Sequence, residues 1–419
     1  MWQMAVLTGA GIGIYIYRVK KTGNLADLPG LLAAGWLGGM GLACLKLSRL
    51  QGSWAIRTWI CFLLVYPFFR KGYGQPEKNK RADTGTGKQQ AETRKKWKIL
   101  YGAIIATAVT AVLAFVIEAC VLGYVPFFAD TGHAYLEFHV TGIHYFTVQC
   151  VMIPGMTVVY WKKGRSERKE LLVLLGCNLT AVIIPVLCVS RFHLIFGVAI
   201  AVITGFSAFH DRISLKKVWF PLLLLLAGGV GFYILISMMR NQSAEYLRTV
   251  FEIKDPKIPV WIAQPYIYIT SNYDNFNCMV VQLKRHTYDG VRMMYPFFAL
   301  TGLKFLFPVQ ISRPPFLIKK ELSTFTLFYD AYYDFGIIGL AVFSWILGKI
   351  SAKITELAKK DENPVIHLFY GQMAVYLLLS FFTTWFSNPT VWFRLIMTGI
   401  LYILVSAAGR ERKEGKEKV

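Results

Sequence analysis

Apolar residues in this chain are gathered into blocks of about twenty, the length at which a helix crosses the hydrocarbon layer of a bilayer. Such blocks occupy 2–17, 28–45, 54–69, 99–117, 141–160, 171–189, 194–209, 218–237, 331–348, 365–386 and 391–408. The pattern predicts an all-α polytopic membrane protein with about eleven transmembrane helices. Blocks 171–189 and 194–209 are separated by only Ser190-Arg191-Phe192-His193 and should form a tight hairpin. The first block has no basic segment before it and no small-residue cleavage signature, so it reads as a span and not as a removable signal peptide.

Composition agrees with this pattern. Of 419 residues, 55% are hydrophobic and 17% charged, too little polar material to cover soluble cores of this size. Six of the seven cysteines (Cys44, Cys61, Cys120, Cys150, Cys177, Cys188) lie in or beside apolar blocks and read as packing residues; only Cys278 does not.

The formal charge of +22 sits in short segments between the blocks, as at Arg94, Lys95, Lys96 and Lys98. That is how cytoplasmic loops are marked, and it excludes a basic nucleic-acid-binding domain. Taking 18–27, 70–98, 161–170, 210–217, 349–364 and 409–419 as inside gives a consistent alternation. The N-terminus is then outside and the C-terminus inside a cytoplasmic-type (inner or plasma) membrane. Lys46 and Arg49, on the opposing side, run against it. The chain thus divides into an N-terminal bundle (1–237, with a cytoplasmic linker at 70–98), a large outer loop (238–330), C-terminal spans (331–408) and a basic tail (409–419).

Residues 238–329 of this loop carry eleven Lys and Arg against six acids, on the side where the positive-inside bias does not account for them. A bound polyanion would. Its apolar stretches, 266–283 and 292–307, are interrupted by Asn, Asp, Arg or Lys and read as pieces that lie at the interface or dip into the protein. Arg240 follows the eighth block closely and Arg292 opens the second stretch. Arg191, in the tight hairpin, matches phosphate oxygens in geometry, or else snorkels among lipid headgroups. These three are the candidate anion ligands. Tyr273, Asn272 and Asn275 are candidate sugar contacts, although aromatics in such a loop also form interfacial belts. For proton transfer the candidates are Asp334 and His286. Asp334 and its neighbour Asp330 precede an apolar block and equally suit a helix N-cap, and His286 equally suits plain solvent exposure. His133, His139 and His144 are spaced to fit neither one helix face nor a zinc site, and no metal or cofactor is expected.

Several short features together resemble the oligosaccharide repeat-unit polymerases, the Wzy-type O-antigen and capsule polymerases. They are Gly123-Tyr-Val-Pro126-Phe-Phe after Glu118, Phe138-His-Val-Thr-Gly142-Ile-His, the Ser190-Arg191 hairpin, the long outer loop, and Asp334-Phe335-Gly336 with Gly339 leading into a late span. The resemblance covers most of the chain. It implies a fold related to membrane glycosyltransferases that use lipid-phosphate donors, the GT-C-like architecture. It also implies transfer of a glycan from an undecaprenyl-pyrophosphate carrier to a hydroxyl of the next lipid-linked repeat unit. A flippase and a chain-length-determining protein would be its partners, with membrane lipid. Some members carry an outer-loop arginine and glycine with ten residues between; Arg292 and Gly302 have nine. An O-antigen ligase-like enzyme and a transporter of lipid-linked glycans are the alternatives. Polar residues concentrated at the outer rim favour an enzyme over a transporter.

Overall fold

A computed structural model of the protein describes residues 2–74, 90–129, 134–164, 167–209, 244–307, 315–360 and 363–414. In chain order the helices are α1 (Trp2–Thr22), α2 (Leu28–Ala43), α3 (Ile56–Tyr73), α4 (Gln90–Leu122), α5 (Ala134–Glu137), α6 (His144–Thr147), α7 (Ile153–Tyr160), α8 (Arg168–Leu187) and α9 (Arg191–Ala208). They continue as α10 (Ala244–Phe251), α11 (Val260–Gln282), α12 (Val291–Leu300), α13 (Leu303–Leu306), α14 (Tyr329–Lys360), α15 (Ile366–Leu378) and α16 (Pro389–Glu414). The described residues contain no strand, only an isolated bridge between Ser48 and Ile253.

Five helical segments among the described residues are long and apolar enough to cross a membrane: Lys95–Leu122, Arg168–Leu187, Arg191–Ala208, Tyr329–Lys360 and Pro389–Ala408. This is a membrane protein, and among the described residues five of the eleven blocks form helices both long and apolar enough for a full crossing. The block at 218–237 lies outside the described residues. Block 141–160 is broken into α6, a 3-10 turn over Val148–Met152, and α7. Helices α2 and α15 are apolar but have 16 and 13 residues, short of a full crossing. Helices α1 and α3 have the length, but charge dilutes them at Arg18, Lys20 and Lys21, and at Arg57, Arg70 and Lys71. The expected α8–α9 hairpin forms, turning over 188–190.

The chain forms two compact units, one of residues 1–77, 243–356 and 373–392, the other of 78–242, 357–372 and 393–419. In the first, α1 and α2 form a clasped hairpin. Asp27 caps α2 by accepting the Gly30 N–H at 2.9 Å, and also takes Arg18 Nε and Nη2, each at 2.9 Å. One carboxylate thus closes a turn and neutralises an arginine that is itself buried. Below it an aromatic cluster forms around Trp36, whose ring lies 5.1 Å from Tyr273 and 4.9 Å from Phe328.

Helix α11 was expected as part of a loop. It is instead a 23-residue helix, because the polar residues that interrupt its apolar run are answered by the segment just before α3. Asp274 accepts Lys46 Nζ at 2.8 Å, Trp54 Nε1 at 2.7 Å and Gln51 Nε2 at 2.9 Å. Asn277 Oδ1 accepts the Ala55 N–H at 2.9 Å and Thr58 Oγ1 at 2.8 Å. Lys46, the misfit of the charge alternation, is therefore neutralised within the protein and was never a topology signal.

In the second unit α4 packs on α6 and α8, and α7 on α9. His367, at the start of α15, bridges Lys162 Nζ at 2.8 Å and Ser207 Oγ at 2.9 Å.

Candidate functional site

The polar residues at the start of α14 gather in the first unit. Asp330, in its first turn, accepts Arg292 Nε from α12 at 2.6 Å. The guanidinium lies 4.6 Å from the Tyr333 ring centre and 5.7 Å from that of Tyr329. Burial alone would favour the neutral guanidine; the Asp330 carboxylate outweighs it and holds the Arg292 pKa above its ordinary value. One turn on, Asp334 is fully buried. Its Oδ1 accepts Thr287 Oγ1 at 2.9 Å and its Oδ2 the Met293 N–H at 3.3 Å, while its carbonyl accepts the Tyr288 N–H at 2.9 Å. Asp334 thereby ties the 286–293 loop to α14.

His286 rides on that loop. Its Nδ1 lies 3.3 Å from the Tyr333 carbonyl, a geometry that places a proton on Nδ1. The opposite edge of the ring lies against Gly336, where a Cβ would come within 2.9 Å of Nε2. Gly336 has φ 65° and ψ −153° and kinks α14 two residues after Asp334. Glycine is required there twice, by backbone conformation and by space. The Tyr332 ring stands edge-on to His286 at 5.2 Å, and the Arg57 guanidinium lies 5.8 Å from the centre of Tyr332. Lys284 and Arg285 are exposed beside the loop.

The structure thus brings together Arg292, Asp334 and His286. Asp330 proves to be an ion-pair partner and not merely a cap. Asp334 is fully buried and, through Thr287 and the Met293 N–H, ties the loop that carries His286 to α14. Arg191 is the first residue of α9 in the other unit, where it is buried. Arg240 lies outside the described residues, as do Asp130, His133 and Arg313.

The candidate sugar contacts are core residues. Tyr273 is fully buried and donates to the Trp36 carbonyl at 2.8 Å. Asn275, also fully buried, donates to the carbonyls of Leu322 at 2.7 Å and Thr324 at 2.9 Å and accepts the Ile318 N–H at 2.9 Å. Asn272 is buried and donates to the Tyr268 carbonyl at 2.7 Å. They pin the 316–326 segment and α2 to α11, and present no surface on which a sugar could stack.

Arg57 is the site residue that sequence reasoning overlooked. It lay inside the apolar block 54–69 and was not singled out there; its charge within an apolar run was the available signal. Among the described residues no group of three or more His, Cys, Asp or Glu is arranged to hold a metal ion. Comparison of the chain with protein-family models, with curated proteins and with solved structures finds no match in any of the three.

Proposed function

We propose that the protein is a membrane glycosyltransferase of GT-C-like architecture that polymerises undecaprenyl-pyrophosphate-linked oligosaccharide repeat units into O-antigen, capsule or exopolysaccharide on the outer face of the cytoplasmic membrane. The observation that supports it best is the meeting of Arg292, His286 and the two α14 acids at the end of a membrane-length helix. Ionisable groups at such a place are expensive and mark function. A glycosyl pyrophosphate is already activated, so a catalyst has two tasks: stabilise the departing pyrophosphate and receive a proton from the attacking hydroxyl.

In this reading Arg292 and Arg57 meet the pyrophosphate, with Lys284 and Arg285 attracting it. Arg292 exchanges part of its hold on Asp330 for phosphate oxygens, which suit its fork geometry. The hydroxyl oxygen of the acceptor unit attacks the anomeric carbon, the bond from that carbon to the pyrophosphate oxygen breaks, and undecaprenyl pyrophosphate leaves. The hydroxyl proton passes to His286. Asp334 and Thr287 hold the His286 loop in register.

The test is the glycan ladder of a deletion strain complemented with wild type, Arg292→Ala, Arg292→Lys or His286→Gln. Loss of the gene should collapse the ladder to single repeat units. Wild type should restore it, Arg292→Ala should not despite normal protein level, and Arg292→Lys should give short chains. Full-length polymer retained on its carrier lipid in the deletion strain would identify a ligase instead, and an unchanged surface glycan would return the protein to transport.

A further inference from the structure

The second unit contains a polar constellation that this mechanism leaves unused. Glu118 lies one turn before the end of α4, and its side chain is fully buried. Its Oε1 accepts the Val140 N–H at 2.9 Å and faces His144 Nδ1 at 3.0 Å; its Oε2 accepts Thr147 Oγ1 at 2.6 Å. Nδ1 therefore carries the proton, and the remaining ring nitrogen, Nε2, presents a lone pair. His144 is the partly open member of the pair, with 28% of its side chain exposed, and among the described residues no hydrogen bond engages Nε2. The His139 ring, on the exposed side, is 6.4 Å away.

A merely structural carboxylate would be satisfied by Val140 and Thr147. Burying it beside an imidazole whose other nitrogen is open is the arrangement by which a carboxylate fixes the tautomer of a proton-accepting histidine and stabilises the cation that forms. Among the described residues, His193 faces His144 and Cys188 faces Glu118 electrostatically; His193 bonds Ser190 Oγ at 2.8 Å and has Arg394 beside it.

We propose that Glu118 and His144 form a second glycan-contacting site, in which the Nε2 lone pair of neutral His144 accepts a hydrogen bond from a hydroxyl of a glycan ligand. Naming a glycan rests on the proposed function; the open basic nitrogen does not. His144 is the group that touches the ligand, and Glu118 is the positioning residue.

Two measurements test this. The first is acylation of histidines by diethylpyrocarbonate in the intact, nanodisc-embedded protein, read by mass spectrometry at a pH well above the imidazole range. His144 should be acylated at Nε2, and Glu118→Gln should slow that reaction roughly tenfold, the scale on which loss of a ring-orienting carboxylate acts. An unreactive His144 alongside a reactive His139 would overturn the site. The second measurement is the glycan ladder with His144→Gln at unchanged protein level. Collapse would support the glycan assignment. A full ladder in His144→Gln, where Arg292→Ala collapses it, would overturn that assignment and leave the polymerase reading standing. If deleting the gene leaves the ladder intact, the polymerase reading is what fails, and the acylation result still decides whether the basic site exists.

Discussion

Asp274 shows how one side chain decides the state of its surroundings. It sits in the middle of an otherwise apolar helix and takes three hydrogen bonds from the segment just before α3. Removing it leaves Lys46, which is only partly exposed, and Trp54 and Gln51 without their acceptor. Breaking a buried pair from one side usually costs 3–5 kcal/mol; because Lys46 can turn toward water, Asp274→Ala is expected to cost about 3 kcal/mol. Asp274→Asn, which keeps an acceptor oxygen but loses the charge, should cost less. Thermal unfolding of the detergent-solubilised variants measures both. Equal stability of wild type and Asp274→Ala would show that the network contributes nothing. The same residue explains a limit of sequence reading. Thr270, Asp274 and Asn277 share one face of a helix by their spacing, yet a hydropathy window averages faces and scores the segment as an interrupted loop. The acids of α14 were legible as important. Which of them pairs with arginine and which is walled in depends on residues in α12 and the 286–293 loop, tens of positions away in sequence.

Between elements, the contacts that matter most are close helix crossings. Gly72, near the end of α3, and Gly348, inside α14, meet at one such crossing. A Cβ on Gly348 would strike the Phe69 carbonyl oxygen, and one on Gly72 the Trp345 carbonyl oxygen. Backbones this close gain dispersion and weak Cα–H contacts, the usual basis for helix association in lipid. The sequence alone does not pair Gly348 with Gly72, since nothing in a single chain reports which two helices cross. Gly348→Val should force α3 and α14 apart and cost at least the 1–3 kcal/mol roughly typical of overpacking. Gly38→Val, at a position where nothing lies within 4 Å of the added carbon, is the matched control. The comparison is the fraction of protein recovered folded from membranes by size-exclusion chromatography. Equal recovery of the two variants would mean that the crossing tolerates a side chain. The α8–α9 hairpin was legible in outline, because two long apolar runs so close in sequence have one compact solution, but its turn falls at 188–190 and Arg191-Phe192-His193 belong to α9. The 141–160 block was not, since an apolar run does not reveal where a 3-10 turn such as Val148–Met152 will break it.

For the whole molecule, the most general inference concerns sidedness. Helix α14 starts at the Arg292–Asp330 pair and ends on Lys359 and Lys360. Beyond the kink at Gly336 its residues 337–360 make a rod of about 36 Å, long enough to cross the hydrocarbon layer. Helix α4 runs from Lys95, Lys96 and Lys98 to the buried Glu118, again with its cations at one end and its candidate chemistry at the other. Positive charge is retained on the cytoplasmic side, so the expectation for each helix taken by itself is that its basic end faces inward. An enzyme working on lipid-linked glycans already delivered to the outer leaflet needs that arrangement, and the opposite sidedness would be incompatible with it. The expectation is checked with two fusions in a bacterial host. Green fluorescent protein joined after Val419 should fluoresce, because it matures in the cytoplasm. Alkaline phosphatase joined after Leu306 should be active, because it folds only once exported. Phosphatase activity at the C-terminus with silence after Leu306 would invert the molecule, placing Arg292 and His286 in the cytoplasm and removing the polymerase reading along with the topology.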